Sequence, residues 1–550
     1  MSPTPPRLES VIFGFALAAL LASGCGGRAP VSYSHGSHPP RPADHGELPQ
    51  AANSWFLSAR ASVDQAAERA PVRRRARNVV LFVGDGMDVA TVTAARILDG
   101  QMRGGGGEEG YLAWERFPHV AMIKTYSADA QVADSAGTAT AIFSGVKTRS
   151  GVINVDDSVR RGDWHAAAAA QVVTLFELAE AAGLATGVVT TTRVTHATPA
   201  AVYGHTPDRA WEVDSRMAPA ARSAACRDLA LQLVEPAFGD GPEVVFGGGR
   251  SAFLPAGDER QGWRADGRDL LSEWSGRHPS GAVVTDRGSM FHAAYSGRGP
   301  VLGLFRRSHL SFASDRRRSA ARAGEPSLVD MVRAAIGVLE SSPHGYFLMV
   351  EAGRIDHAHH MGVAARALVE TIELSRAVDA VAGAVDTEET LLLVTADHGH
   401  TMTIGGYPSR GRDILGLAAT ETDGEVRYYQ TAEGRPFTTL SYANGPGAGE
   451  RDVDAETWDD GYVQQALHST TYPGAHGRSL SETHGGQDVP VWGVGPGAQL
   501  LQGTMEQHDL FHVVERATHL ISRAKRSSSL VPKPGRGFAC RQATAVVAPD

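Results

Sequence analysis

The chain has 550 residues, 42% hydrophobic and 21% charged, proportions of a globular protein that speak against wholesale disorder and against a polytopic membrane protein. Lysine and arginine number 52 against 61 aspartates and glutamates, and the resulting formal charge of −9 argues against a general nucleic-acid binder with a basic face. Three cysteines cannot build a disulfide scaffold.

Residues 11–22 form the apolar run VIFGFALAALLA, too short to span a bilayer and of the length of a signal-peptide core. The sequence LASGC follows at once, and small residues before Cys25 resemble a bacterial lipobox, so residues 1–25 read as an export signal with lipidation at Cys25. The expected location is periplasmic, outer-membrane-anchored or secreted. Residues 26–53 are rich in Gly, Pro, Ala, Ser and His without apolar periodicity, a flexible tether whose His35, His38 and His45 are solvated. An oxidising compartment permits, without requiring, a bond between Cys226 and Cys540.

A helix is expected over residues 54–70. Then NVVLFV, residues 78–83, is a fully apolar run that ends in Gly84-Asp85-Gly86 and gives way to a helical stretch from Asp88 to Leu98. This strand, turn and helix grammar recurs at TGVVTTT (186–192), VVF (244–246), YFLMV (346–350) and LLLVT (391–395), with helical patterns over residues 172–182 and 328–340. Continuous apolar strands alternating with helices predict an α/β fold, doubly wound around a mostly parallel sheet buried on both faces. Residues 403–481, rich in Gly, Tyr, Thr and Asp, break the pattern and read as an insertion with a small β-rich subdomain. The catalytic domain would then comprise residues 54–402 and 482–525, with residues 526–550 as a tail. Arginine clusters at 73–75 and 316–318 lack interleaved aromatics and read as solvated faces. The segments around Gly145–Lys147 and Gly247–Gly249 fit no phosphate-binding loop and read as turns.

In a parallel sheet, function gathers at the carboxyl ends of the strands. Asp85 follows the first run, Glu351 and Asp356 follow YFLMV, and Asp397 with His398 follows LLLVT. One such acid is often a helix cap. Several converging on one edge without cationic neighbours would repel one another and take up protons unless divalent metal compensates them. In DHAHH, Asp356 and His360 stand at i and i+4 on one helical face, and ETHGG supplies His484. Mixed imidazole and carboxylate donors favour zinc, and an all-oxygen set favours magnesium. His357, His359 and His400 are left between a supporting and a surface role. In DSAGTATA, Ser135 falls in the first turn of a helix, where backbone N–H groups and the helix dipole favour an anion. Most such serines only cap helices, but beside a metal cluster this one is a candidate alkoxide.

The stretches NVVLFVGDGM, TVTAARIL, VADSAGTATAIFSGVKT, VTHATPAAVYGHTPDR, VFGGGR, VEAGRIDHAHH, VTADHGHT, YPSRGRDILGLA and ETHGGQDVPVWGVGPG together resemble the alkaline phosphatase family, over residues 53–519. That resemblance implies phosphate-monoester hydrolysis through a phosphoserine on Ser135, with an alkaline optimum, two zinc ions and one magnesium ion. It implies Asp356, His360 and His484 as ligands of one zinc, and Asp85, Asp397 and His398 as ligands of the other. Asp85, Thr198 and Glu351 would serve the magnesium, with His196 behind it through water, and Arg209 would fork onto the phosphate. Residues 403–481 resemble the crown domain of animal-type members, which implies a homodimer. Asp88 departs from the family's usual glycine, and either adds charge near the metals or caps a helix. Two rival readings are a phosphodiesterase of the same superfamily and an exported protein that only binds phosphate or metal.

Overall fold

The computed structural model describes residues 74–445 and 481–527 apart from 258, 320, 321, 323 and 433, together with 533, 536, 538 and 540. The export signal, the tether, the helix expected over 54–70, most of the tail and residues 446–480 of the insertion lie outside the described residues.

Among the described residues ten strands form the central sheet: β1 (Asn78–Gly84), β2 (His119–Lys124), β3 (Ala185–Arg193), β4 (Val244–Gly248), β5 (Ala282–Val284), β6 (Val301–Leu304), β7 (Tyr346–Glu351), β8 (Thr390–Ala396), β9 (Val489–Val494) and β10 (Thr504–Glu506). They lie in the order β10-β2-β9-β8-β1-β7-β3-β4-β6-β5. Only β9 runs against its neighbours, β2 and β8. The expected mostly parallel, doubly wound sheet is present. Its central strands are buried along nearly their whole length, which is why they read as unbroken apolar runs. Each Val, Leu or Phe so buried stabilises the fold by about 1.5–3 kcal/mol.

The helices that matter here are α1 (Val89–Met102), α2 (Ser135–Ser144), α3 (Ala197–Ala200), α4 (Leu328–Leu339), α5 (Arg354–His360) and α6 (Ala364–Ala382). α4 begins in a capping box made by Ser327 and Asp330. The register of the sheet decides where the chemistry gathers. Gly84 of β1 stands opposite Ala396 of β8, and Val83 opposite Glu351 of β7, so Asp85, Asp397 and Glu351 emerge side by side. Thr190 of β3 is paired with Glu351 from the other side.

In the described part of the insertion, Met402–Ile404 pairs with Leu440–Tyr442 and Ala419–Thr422 with Glu425–Tyr428, two small antiparallel sheets. The turn expected at Gly145 is the left-handed end of α2. Gly247 and Gly248 instead finish β4, and only Gly249 turns, with φ +94°. The 316–318 cluster is less solvated than expected, because Arg316 and Arg317 both pair with Glu373 of α6, at 2.9 and 2.6 Å. Cys226 and Cys540 are joined by a disulfide bond.

Candidate metal and phosphate site

Gly86 makes the turn after β1 with φ +72°, and a Cβ there would fall 2.4 Å from the ring of His400. The turn aims Asp85 at the sheet edge. It also lets Gly86 N donate to Asp397 Oδ1 at 3.0 Å, tying the ends of β1 and β8. Asp88 closes the segment as the N-cap of α1, accepting from Thr91 N (2.8 Å) and Thr91 Oγ1 (2.9 Å). Its other oxygen accepts from Gln487 Nε2 at 2.5 Å and from His400 N at 3.3 Å. Asp88 is therefore a helix cap and a clip onto the two segments that carry His400 and His484. Asp88→Ala should lower the thermal midpoint, through roughly 1–2 kcal/mol lost from a cap and its stranded donors, when melted with metals bound.

Ser135 is the first residue of α2 and is 2% exposed. Its Oγ lies 3.2 Å from His398 Nε2 and 3.5 Å from Asp85 Oδ1. Asp134 caps the helix: its Oδ1 accepts from Gly137 N (3.1 Å) and Gly151 N (3.0 Å), and its Oδ2 accepts from Arg209 Nη1 (2.9 Å). Burial would raise the Asp134 carboxyl, but Arg209 and these N–H donors outweigh it and hold the group below its ordinary value. The cap of the serine's helix thus also aims the arginine, a second duty that its place in DSAGTATA did not reveal. Arg209 Nη2 stands 3.4 Å from His196 Nε2.

Three donor sets gather here, each within 4.8 Å: Asp356, His360, His400 and His484; Asp85, Asp356 and His398; and Asp85, His196 and Glu351. Asp356 belongs to the first two and Asp85 to the last two. Asp397 adjoins the second, its Oδ2 at 3.4 Å from His398 Nε2. The imidazoles show which nitrogens are free. His360 Nδ1 donates to Glu482 O (2.6 Å), His484 Nδ1 to Ala133 O (2.8 Å) and His398 Nδ1 to Gly399 O (3.2 Å), tautomers assigned from their partners. Each Nε2 lone pair then points inward. His360 Nε2 and His484 Nε2 face each other at 3.1 Å, with Asp356 Oδ1 at 3.2 and 3.3 Å. Three acceptors this close repel one another unless a cation lies among them.

The third set gives the same result by a different route. Asp85 Oδ2, Glu351 Oε1, Thr198 Oγ1 and His196 Nδ1 are all buried without a hydrogen-bond partner among the described residues. Glu351 Oε2, by contrast, accepts from Thr190 and, at 2.9 Å, from Thr192. Burial pushes Asp85 well above the carboxylate range, and Asp397, Asp356 and Glu351 add to the rise. Burial likewise carries Glu351 up to about 7. Bare, these acids would hold protons; a divalent cation would displace them. The donor sets fit zinc at the first two positions, and magnesium at the third, where Asp85, Glu351 and Thr198 supply oxygens and His196 stands beside them.

His400, left undecided by the sequence, is fully buried between two carboxylates. Its Nδ1 donates to Glu482 Oε2 at 2.5 Å and its Nε2 meets Asp356 Oδ1 at 2.9 Å. Burial opposes its charge, but the bonds to Asp356 and Glu482 outweigh that and raise it to about 10. As an imidazolium it grips Asp356 from behind. Burial alone would raise Asp356, yet when His360, His400 and His484 carry protons on the nitrogens facing it, as they would without a cation, their bonds to the same oxygen hold it well below the usual range. His359 supports the packing instead, bonded to Thr91 Oγ1 (3.1 Å) and Tyr442 OH (2.8 Å). The structure brings every expected site residue to one edge of the sheet.

The sequence profile described as "Alkaline phosphatase" matches residues 76–520. The alkaline phosphatase of Gadus morhua is 40% identical over 464 residues, covering 81% of this chain and 92% of its own. The tissue-nonspecific isozyme of Gallus gallus is 41% identical over 472 residues, covering 83% and 87%. Among solved structures, the alkaline phosphatase of Thermus thermophilus shares the fold with a TM-score of 0.58 at 24% identity, covering 82% of this chain and 93% of that one. The cold-active enzyme of a psychrophilic Shewanella sp. aligns with a TM-score of 0.53 at 24% identity, over 80% and 99%.

Proposed function

The chain belongs to the alkaline phosphatase family, and from that premise we propose that it hydrolyses phosphate monoesters in two in-line displacements through Ser135. The observation that carries this reading is the position of Ser135 Oγ. It lies at the corner shared by Asp85 and His398, and the residue beside it, Asp134, holds Arg209. When bound, two zinc ions and one magnesium ion would supply Lewis acidity, lowering the pKa of a hydroxyl or water and neutralising phosphoryl charge. Asp356, His360 and His484 would hold one zinc; Asp85, Asp397 and His398 would hold the other. Asp85, Thr198 and Glu351 would hold the magnesium, with His196 behind it.

The chain's own groups then perform the following work. The first turn of α2 presents Ser135 Oγ to phosphorus, with the helix N-terminus favouring the developing anion. Arg209 forks onto two equatorial phosphoryl oxygens. The serine O–P bond forms, the ester O–P bond breaks, and the alcohol leaves with a proton. Water next attacks phosphoserine from the vacated side, releases phosphate and returns a proton to Ser135. Contacts are to the phosphoryl group, so a broad range of alcohols is accepted. An alkaline optimum goes with this reading, because hydroxide formation and release of phosphate from a cationic site are both favoured as pH rises.

Hydrolysis of 4-nitrophenyl phosphate, set beside bis(4-nitrophenyl) phosphate, tests the reading. Preference for the monoester supports it, and preference for the diester would replace it with a phosphodiesterase. A binding-only protein would turn over neither. Arg209→Ala should weaken inhibition by inorganic phosphate about ten- to hundredfold, the loss of charged hydrogen bonds. Unchanged inhibition would remove Arg209 from its role. The same reading makes the protein an exported homodimer tethered through Cys25, which rests on the sequence of residues 1–25 and the crown-like character of residues 403–481.

A further inference from the structure

The sheet edge that carries the acids continues past β7 through β3, β4 and β6, and there its chemistry changes sign. The end of β3 contributes Arg193 and His196, the segment after β6 contributes His309, and α5 contributes Arg354 and His357. The ring of His357 lies 5.5 Å from that of His196 and 4.3 Å from that of His309. Arg354 Nη1 donates to His357 Nδ1 at 3.0 Å, and Arg193 Nη1 meets His309 Nε2. The acid at Arg193 is Glu212, which grips it in a fork at 2.7 and 2.8 Å and is shared with Arg216 at 3.0 Å.

Arg354 is the cation left without an answer. It stacks over Phe312, 3.8 Å from the ring centroid, and its Nε is buried with no hydrogen-bond partner among the described residues. It forms no ion pair among the described residues. The acids that act on it are already engaged. Glu370 accepts from Ala313 N at 2.5 Å, and Asp315 pairs with Arg366 at 3.3 Å and Arg322 at 3.8 Å. Burying a guanidinium without a counterion is expensive, so an anion arriving from outside is the natural compensation. Arg193, His309, Arg354 and His357 are each only partly buried, so solvent reaches the group.

We propose that Arg354, with His357, forms a second oxyanion subsite beside the scissile phosphoryl, one that receives a phosphate or carboxylate carried on the alcohol side of the substrate. The inference rests on the reading that the scissile group sits between Ser135 and Arg209. His196, 3.4 Å from Arg209, is the imidazole that separates the two subsites. Monoesters with a second anion close to the ester are then the preferred class.

Three matched substrates test this on the metal-loaded protein: 2-hydroxyethyl phosphate, 2-phosphoglycolate and ethane-1,2-diol bisphosphate. The two anionic esters should exceed the neutral one in kcat/KM by about tenfold or more, mainly through KM, the gain of one charge-assisted hydrogen bond. Arg354→Gln should erase that ratio, and Arg354→Lys should keep part of it. Preference for one anionic ester over the other identifies the oxyanion. Preference for neither, or a ratio untouched in Arg354→Gln, overturns the subsite. For a variant that does not fold, the wild-type protein answers by calorimetry: 3-phosphonopropanoate should bind about tenfold tighter than propylphosphonate, and equal binding overturns the proposal. If the neutral ester turns over without any anion preference, only the subsite falls. If no ester turns over, the phosphatase reading falls, and the phosphonate pair still decides on the subsite.

Discussion

Ser135→Ala is expected to abolish phosphate labelling of the protein and to lower monoester turnover by at least about 10³-fold, in keeping with the loss of a nucleophile elsewhere. The side chain makes no structural bond that the fold needs. Among the described residues its Oγ contacts only His398 Nε2 and Asp85 Oδ1, and α2 is capped by the neighbouring Asp134 through Gly137. Alanine is also a better helix former than serine. The variant should therefore fold, retain its metals and bind phosphate through Arg209. Metal content by mass spectrometry and phosphate affinity by calorimetry check those two points, and labelling with a phosphorus isotope followed by acid quench checks the third. Turnover near the wild-type rate in the fully metallated variant would reject Ser135 as the nucleophile.

How much of this site was readable beforehand depends on how local each signal is. Asp85, Glu351 and Asp397 could be found because each terminates an unbroken apolar run, and a parallel sheet places the ends of such runs together. Asp356 and His360 share a helical face four residues apart. The outer strands β2, β5, β6, β9 and β10 carry no such signal in the sequence, and β5 and β6 are only three and four residues long. β2 alternates in burial along its length, and β9 runs antiparallel, so neither has the continuous apolar signature of the centre. His400 stayed undecided because its role comes from Glu482, a residue 82 positions away that faces its other nitrogen. The same holds for Asp134 and Arg209, and for the bond between Cys226 and Cys540, separated by 314 positions. Asp88 illustrates the opposite case. Its two candidate roles were both local, and the geometry separates them, since its oxygens are spent on Thr91, Gln487 and His400.

Removing the metals should make stability depend on pH in an unusual direction. Stripped by a chelator, the protein should melt at a lower temperature at pH 8.5 than at pH 6, and magnesium and zinc should restore most of the difference. The reason lies in the buried acids. Glu351 has a folded-state pKa of about 7, raised by burial from 4.5, and Asp85 and Asp397 are raised for the same first reason. A carboxyl with a raised folded pKa favours the folded state while it is protonated. That stability is present in full below the unfolded pKa and is lost as pH climbs through the folded value, about 7 for Glu351. For Glu351 alone the whole loss, spread from pH 4.5 to about 7, is about 3 kcal/mol at 1.36 kcal/mol for each pKa unit, of which roughly 1.4 kcal/mol falls between pH 6 and 8.5. Asp356 works the other way, since His360, His400 and His484 hold it low, and its contribution is already complete well below this window. Cations remove the carboxyl part of the penalty by taking the place of the protons, so the decline between pH 6 and 8.5 should be smaller in the loaded protein, where His400, held up to about 10, still contributes. By the same linkage, magnesium affinity should fall as pH drops through about 7, because protons then compete for Glu351. Melting curves with and without chelator, at both pH values, measure the first effect, and magnesium titrations across the same range measure the second. A stripped protein equally stable at both pH values would mean that these three carboxylates are not forced together as the register of β1, β7 and β8 places them.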